Sequence, residues 1–181
     1  MRACIALATA LVMSAWALTG SADVQTKPVP TTNPVLVFET AKGTIEIELY
    51  AAEAPKSVAH VLALMKRNFY RAQRFHRVTA SLVQFGDPQS RDMTKRDYWG
   101  TMSSGSPIGV FELVKKYTHI RGTVGLAHSG NPLGADSQLY IMKAPSPALD
   151  GKHAIIGRVT TGRNVVAQVV VADVIRDARV K

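Results

Sequence analysis

The sequence predicts a mainly-β domain, a barrel or sandwich with helices at its ends. Three observations carry this. Short runs rich in Val, Ile, Leu, Phe and Tyr recur along the chain, bounded by Gly, Pro, Asn and Asp. One of them, GTIEIELY, alternates strictly, with Ile45, Ile47 and Leu49 on one face and Glu46 and Glu48 on the other. Only two stretches of the domain leave the strand pattern for a helical one.

The elements follow in order. VLVFET and GTIEIELY flank AKG, which predicts a hairpin turning at Gly43. APKSVAHVLALMKRN changes to helical period: Pro55 suits a first turn, and Val58, Val61, Leu62 and Met65 form one apolar stripe. Lys66 and Arg67 fall at its C-terminal end, where the helix dipole favours cations. RFHRV and SLVQFGD read as strands, and MTKRDYWGTMSSGSPIG as a long loop. GTVGLAHSG and SQLYIMKA are strand-like across the turn-rich GNPLGAD. HAIIGRVTTG is a strand, RNVVAQVV a short helix and VADVIRDARV a closing strand.

The bulk composition bounds the function. The 181 residues suit one domain plus a processed segment, and 46% of them are hydrophobic, enough for a core. The net charge is +9, yet the basic residues come as singles and pairs, so no nucleic-acid tail is indicated. Arg2 followed by ACIALATALVMSAWALTG, with GSA at Gly20 to Ala22, predicts a signal peptide over residues 1–22. The apolar run is short for a membrane span of about 20 residues, so no stable membrane insertion is expected after cleavage. Residues 23–34 are polar and Pro-rich and predict a flexible lead-in to a domain over 35–181. The expected location is periplasmic or secreted. The one cysteine, Cys4, lies in the targeting segment, which leaves the domain no disulfide and no thiol chemistry. Five histidines are present without His-Glu-x-x-His or His-x-His spacing, so neither a metal nor another cofactor is expected.

The stretch RFHRVTASLVQFGDP sets an Arg and a Gln on strands with no nucleophile beside a base. It joins two further blocks, GTVGLAHSGNPLGADSQLYI and LDGKHAIIGRV, and the opening GTIEIELYAAEAPKSVAHVLALMKRNFY. In order and spacing these resemble the cyclophilin-type peptidyl-prolyl cis–trans isomerases over nearly the whole domain. The resemblance implies a closed antiparallel eight-stranded β-barrel capped by two helices. It implies rotation of X–Pro bonds in peptides and unfolded proteins, and with the targeting segment an assisting role in envelope protein folding. A monomer without cofactors is expected.

The resemblance also implies a site. Arg77 matches the family's catalytic Arg, and Gln84 the Gln that follows the strand's apolar pair. Leu82, Leu126, Tyr140 and Leu149 match the proline pocket, with Gln138 and His153 bordering it. Ala127 and His128 match the segment whose backbone holds peptide. The chain departs from the pattern in places. The first block is one residue short, with Ala80 and Ser81 in place of an aromatic wall. Phe85 replaces a Gly and is expected to crowd the groove or cap it from below. Ala148 replaces a Trp, which argues against strong cyclosporin binding. Tyr140 adds a hydroxyl that needs a partner if buried. An alternative stays open: a proline-peptide-binding chaperone or adaptor with weak or no turnover.

Overall fold

The computed structural model describes residues 32–181. The predicted signal peptide and nearly all of the lead-in therefore lie outside the described residues. β1 (Val35–Thr40) and β2 (Gly43–Leu49) form the expected hairpin, with Gly43 at φ +129° in the turn. Ile45, Ile47 and Leu49 are all buried, as their alternation requires. α1 (Pro55–Lys66) begins on its proline and buries Val58, Val61, Leu64 and Met65. Its N-terminus has no local side-chain cap. Glu112 supplies one from a distant loop, accepting the Lys56 and Ser57 N–H groups at 3.0 and 2.8 Å.

β3 (Arg77–Val78) and β4 (Leu82–Phe85) follow, then β5 (Thr123–Leu126), β6 (Leu139–Met142), β7 (Ile155–Thr161), α2 (Arg163–Gln168) and β8 (Asp177–Val180). The chain coils into tight turns over Pro88–Arg91 and Met93–Tyr98, the second opening the stretch read as a long loop. All eight strands join one antiparallel sheet in the order β3-β4-β6-β5-β7-β2-β1-β8.

The closed barrel expected from the resemblance does not form. The sheet is a curled, open half-barrel, with β3 and β8 as unpaired edges. β3 has only two residues and β8 four. The chain segments preceding these strands do meet, in an isolated bridge, Arg74 to Val174, flanked by backbone hydrogen bonds between Ala72 and Ile175, Gln73 and Ile175, Phe75 and Asp173, and Phe75 and Ala172, but this contact does not extend into β3 and β8. Ala72 at φ +64° and Ala172 at φ +76° turn both segments out of extended geometry.

The core fills the inside of the curl under α1. Phe85 packs edge-on to Phe38, Tyr70 and Phe75, with ring centroids 5.1–5.9 Å apart. Phe85 is 1% exposed. It therefore neither crowds nor caps the groove: it lies one residue from Gln84, and a strand sends consecutive side chains to opposite faces.

Candidate active site

The site is built on the face of β4 and β6 that looks away from the core. Their register pairs Leu82 with Met142 and Gln84 with Tyr140. Alternation sends Val83, Phe85, Leu139 and Ile141 into the core. Leu82, Tyr140 and Met142 form a separate buried cluster, against which Ala127 and Leu149 pack. This small apolar floor lies beside a chain of polar groups. Arg77, opposite Gln84 across the β3–β4 pair, donates from Nη1 to Gln84 Oε1 at 3.2 Å. Gln84 Nε2 donates to Gln138 Oε1 at 2.7 Å. Gln138 Nε2 then donates to the carbonyls of Gly100 and Met102 at 2.9 and 2.8 Å.

Each amide in this relay uses its acceptor on one side and its donors on the other, which fixes both orientations. Arg77 is exposed, and Gln84 is the one side-chain partner of its guanidinium among the described residues. Most of its five donors are thus free to meet a bound group. A cleft of about 250 Å³, lined in part by Gln84, Gln138, Ala127, His128 and Met102, opens along the relay.

The far wall of that cleft comes from the long loop after Pro88, pinned at two points by buried carboxylates. Asp87 accepts the N–H groups of Gly100 and Met102 at 2.5 and 3.3 Å. Asp136 accepts Ser104 Oγ at 2.5 Å and the N–H groups of Gly105 and Ser106 at 2.9 and 3.1 Å. It also binds His60 Nε2 on α1 at 2.8 Å. Burial pushes the Asp136 carboxyl up, but hydrogen bonds from Ser104, His60, Ser103 and the Ser106 backbone outweigh it and hold the group below its ordinary value.

The residues singled out in the sequence are mostly brought together. Arg77, Gln84 and Gln138 form the relay, and Leu82, Tyr140, Leu149 and Ala127 meet in the apolar cluster. Leu126 does not join them. Its side chain is 1% exposed in the main core, because it lies one residue from Ala127 on the opposite face of β5. The Ala127 N–H is already engaged by the Gln138 carbonyl at 2.9 Å, so it is not free for a ligand. Among the described residues the His128 backbone N–H and C=O make no hydrogen bond. They leave one donor and one acceptor at the rim. The His128 ring stacks on His153 with centroids 4.2 Å apart, and His153 meets Tyr140 edge-on at 5.8 Å. Burial first, then the neighbouring His128, holds the His153 imidazole below its ordinary value, so it is neutral at pH 7.

Two functional candidates escaped the sequence reading. Met142 lies two residues beyond Tyr140, and strand alternation alone predicts its place in the cluster. His119, which meets the Tyr140 hydroxyl, comes from the loop before β5, and no spacing rule links the two. Among the described residues no cluster of three or more His, Cys, Asp or Glu gathers as metal ligands do, and no helix is long and apolar enough to cross a membrane.

Comparison with known proteins gives concordant findings. A family model described as cyclophilin type peptidyl-prolyl cis-trans isomerase/CLD matches residues 35–181. A probable peptidyl-prolyl cis-trans isomerase of Brucella suis is 32% identical over 165 residues, spanning 89% of this chain and 84% of its own. Peptidyl-prolyl cis-trans isomerase-like 1 of Rhizopus delemar is 38% identical over 133 residues, 72% of this chain and 76% of its own. The crystal structure of a cyclophilin type isomerase from Cryptosporidium parvum superposes with a TM-score of 0.70 at 22% identity, over 82% of this chain and 98% of its own. The same protein was also solved in the presence of the dipeptide Ala-Pro, with a TM-score of 0.69 at 22% identity, over 81% of this chain and 98% of that one.

Proposed function

The chain belongs to the cyclophilin-type peptidyl-prolyl cis–trans isomerases, and from that premise we propose how its own residues turn a prolyl bond. Rotation about X–Pro makes and breaks no σ-bond. Its barrier, about 18–20 kcal/mol, is the loss of amide resonance. Unaided exchange takes roughly 10–100 s. Catalysis therefore consists of holding the twisted amide more tightly than the planar one.

Twisting localises the lone pair on the prolyl nitrogen. Arg77, charged and rich in unengaged donors, stabilises that nitrogen in the twisted state alone. Gln84 braces the guanidinium, and Gln138 braces Gln84. The proline ring lies on Leu82, Tyr140 and Met142, with Leu149 and Ala127 beside it. The unpaired backbone N–H and C=O of His128 hold the peptide chain in place while the bond turns. The observation that carries this reading is the Arg77–Gln84–Gln138 relay running along the edge of a small apolar cluster apart from the core.

The ligand class is proline-containing peptide, a reading supported by the Cryptosporidium parvum relative solved in the presence of Ala-Pro. The apolar segment after Arg2 supports export, and unfolded envelope proteins as clients in a periplasmic or secreted setting. A second reading, peptide binding with weak turnover, draws on the shortened block. Thr79 Oγ1 accepts the Ser81 and Leu82 N–H groups in a tight turn there, and Ala80 is exposed where the family pattern carries an aromatic wall.

Exchange of a short Ala-Pro peptide, followed by NMR with the full chain, tests both. Acceleration well above background that Arg77→Ala reduces more than roughly tenfold supports the mechanism. Binding without acceleration supports the second reading. Acceleration unchanged by the substitution removes Arg77 from its role.

A further inference from the structure

Tyr140 is only 3% exposed, yet it carries a hydroxyl into an otherwise apolar floor. That hydroxyl lies 2.7 Å from His119 Nε2, and His119 Nδ1 lies 2.6 Å from Asp150 Oδ1. His119 is 1% exposed. The same Asp150 oxygen accepts the His119 backbone N–H at 2.8 Å, so one carboxylate oxygen fixes both the backbone and the ring. Hydrogen bonds from the His119 side chain and backbone hold the Asp150 carboxyl below its ordinary range, so it is ionised at neutral pH. Asp150 accepts from Nδ1–H, and a ring that holds its one proton there leaves Nε2 to accept from the Tyr140 O–H.

The opposite strand makes room for this arrangement. Gly125 pairs with Tyr140 across β5 and β6, and a Cβ there would come within 2.3 Å of the Tyr140 hydroxyl. The ring leans over Gly125 to reach His119. Asp150 directly follows Leu149, which packs against the same apolar cluster. One short segment therefore both walls the cluster and tethers its floor.

We propose that His119 and Asp150 are positioning residues for prolyl binding, clamping the Tyr140 ring as a preformed floor of the proline pocket. The inference rests on the reading of the Leu82–Tyr140–Met142 cluster as that pocket. A floor held from behind loses less freedom when the ring docks, so the clamp acts on affinity rather than on the rate of turning in the bound state.

The test is an NMR line-shape titration of a short Ala-Pro peptide against the full chain, which separates affinity from the exchange rate of bound peptide. Asp150→Ala is expected to weaken affinity about fivefold. The bound exchange rate should change by less than about twofold. Asp150→Asn keeps an oxygen that can accept both bonds and should recover most of the loss. In a Tyr140→Phe background, Asp150→Ala should cost nothing further. Equal losses in the Ala and Asn variants, or a cost undiminished beside Tyr140→Phe, would overturn the clamp. If Asp150→Ala does not fold, Tyr140→Phe alone, with nearly the same ring volume, must weaken affinity, and unchanged affinity overturns the clamp equally. Wild-type protein that binds no peptide would overturn the pocket reading and the clamp with it. A wild type that binds normally beside an unaffected Asp150→Ala variant would overturn the clamp alone.

Discussion

The two faces of the β4–β6 ladder differ by one residue of register and by almost everything else. On the core face, Val83, Phe85, Leu139 and Ile141 are apolar and need only shape. On the outer face, Leu82, Tyr140 and Met142 are equally hidden but share their surface with Gln84, whose amide needs two partners and finds them in Arg77 and Gln138. One backbone thus supports a face that stabilises and the face to which we assign the prolyl site. Burial alone does not distinguish them, since every residue of both strands is buried. The unpaired donors at the rim do.

The largest test of this division is Phe85→Ala. Removing a buried aromatic should cost about 3–5 kcal/mol, read from the denaturation midpoint. The fraction that remains folded should still turn peptide at near wild-type rate, and a loss of turnover beyond the unfolded fraction would break the division. Arg77→Ala should do the reverse. Turnover should fall more than roughly tenfold. Stability should stay within about 0.5 kcal/mol, because the side chain is exposed. A variant that loses stability instead would make Arg77 a brace.

A smaller effect concerns the loop that walls the cleft. The Asp136 carboxyl is held below its ordinary value, so the unfolded chain takes up its proton at a higher pH than the folded one. Its contribution is present above the ordinary carboxylate range of about pH 4 and is lost as pH falls through the lower folded value. Amide protection factors over residues 104–106, taken relative to the intrinsic exchange rate at each pH, should fall on acidification, and in Asp136→Asn they should be low already at neutral pH. The smallest effect is at the rim. His128→Ala removes the neighbour that helps depress His153, and the His153 resonances should titrate at higher pH than in wild type. Peptide turnover should change by less than about twofold if His128 acts through its backbone.

Much of this architecture was legible in the sequence where local periodicity governs. The β1–β2 hairpin, α1 with its N-terminal proline and the strand character of SLVQFG follow from spacing of two or of three to four residues. The same rule, applied one residue further, would have sent Phe85 and Leu126 into the core rather than to the groove. What stayed hidden is held by contacts remote in sequence. Glu112 caps α1 across 55 residues, Asp136 pins a loop 32 residues upstream, and His119 finds Tyr140 across 21. A buried hydroxyl announces that a partner exists; it does not name it. The missing closure of the barrel is of the same kind. The segments leading into the two edge strands take positive φ at Ala72 and Ala172, and alanine at those positions gives no warning.

The pairing of β1 with β8 carries a consequence for how the chain comes to its fold. Glu39 and Arg179 bind across this pair although 140 residues separate them, and the Lys181 N–H reaches back to the Val35 carbonyl at 2.8 Å. The first strand of the domain therefore waits for the last. During synthesis its outer edge offers unpaired N–H and C=O groups until β8 emerges. A contact of such span makes assembly slow and exposes the nascent hairpin to foreign strands. An enzyme family that turns prolyl bonds is thus represented here by a sheet whose own completion is a late, long-range event.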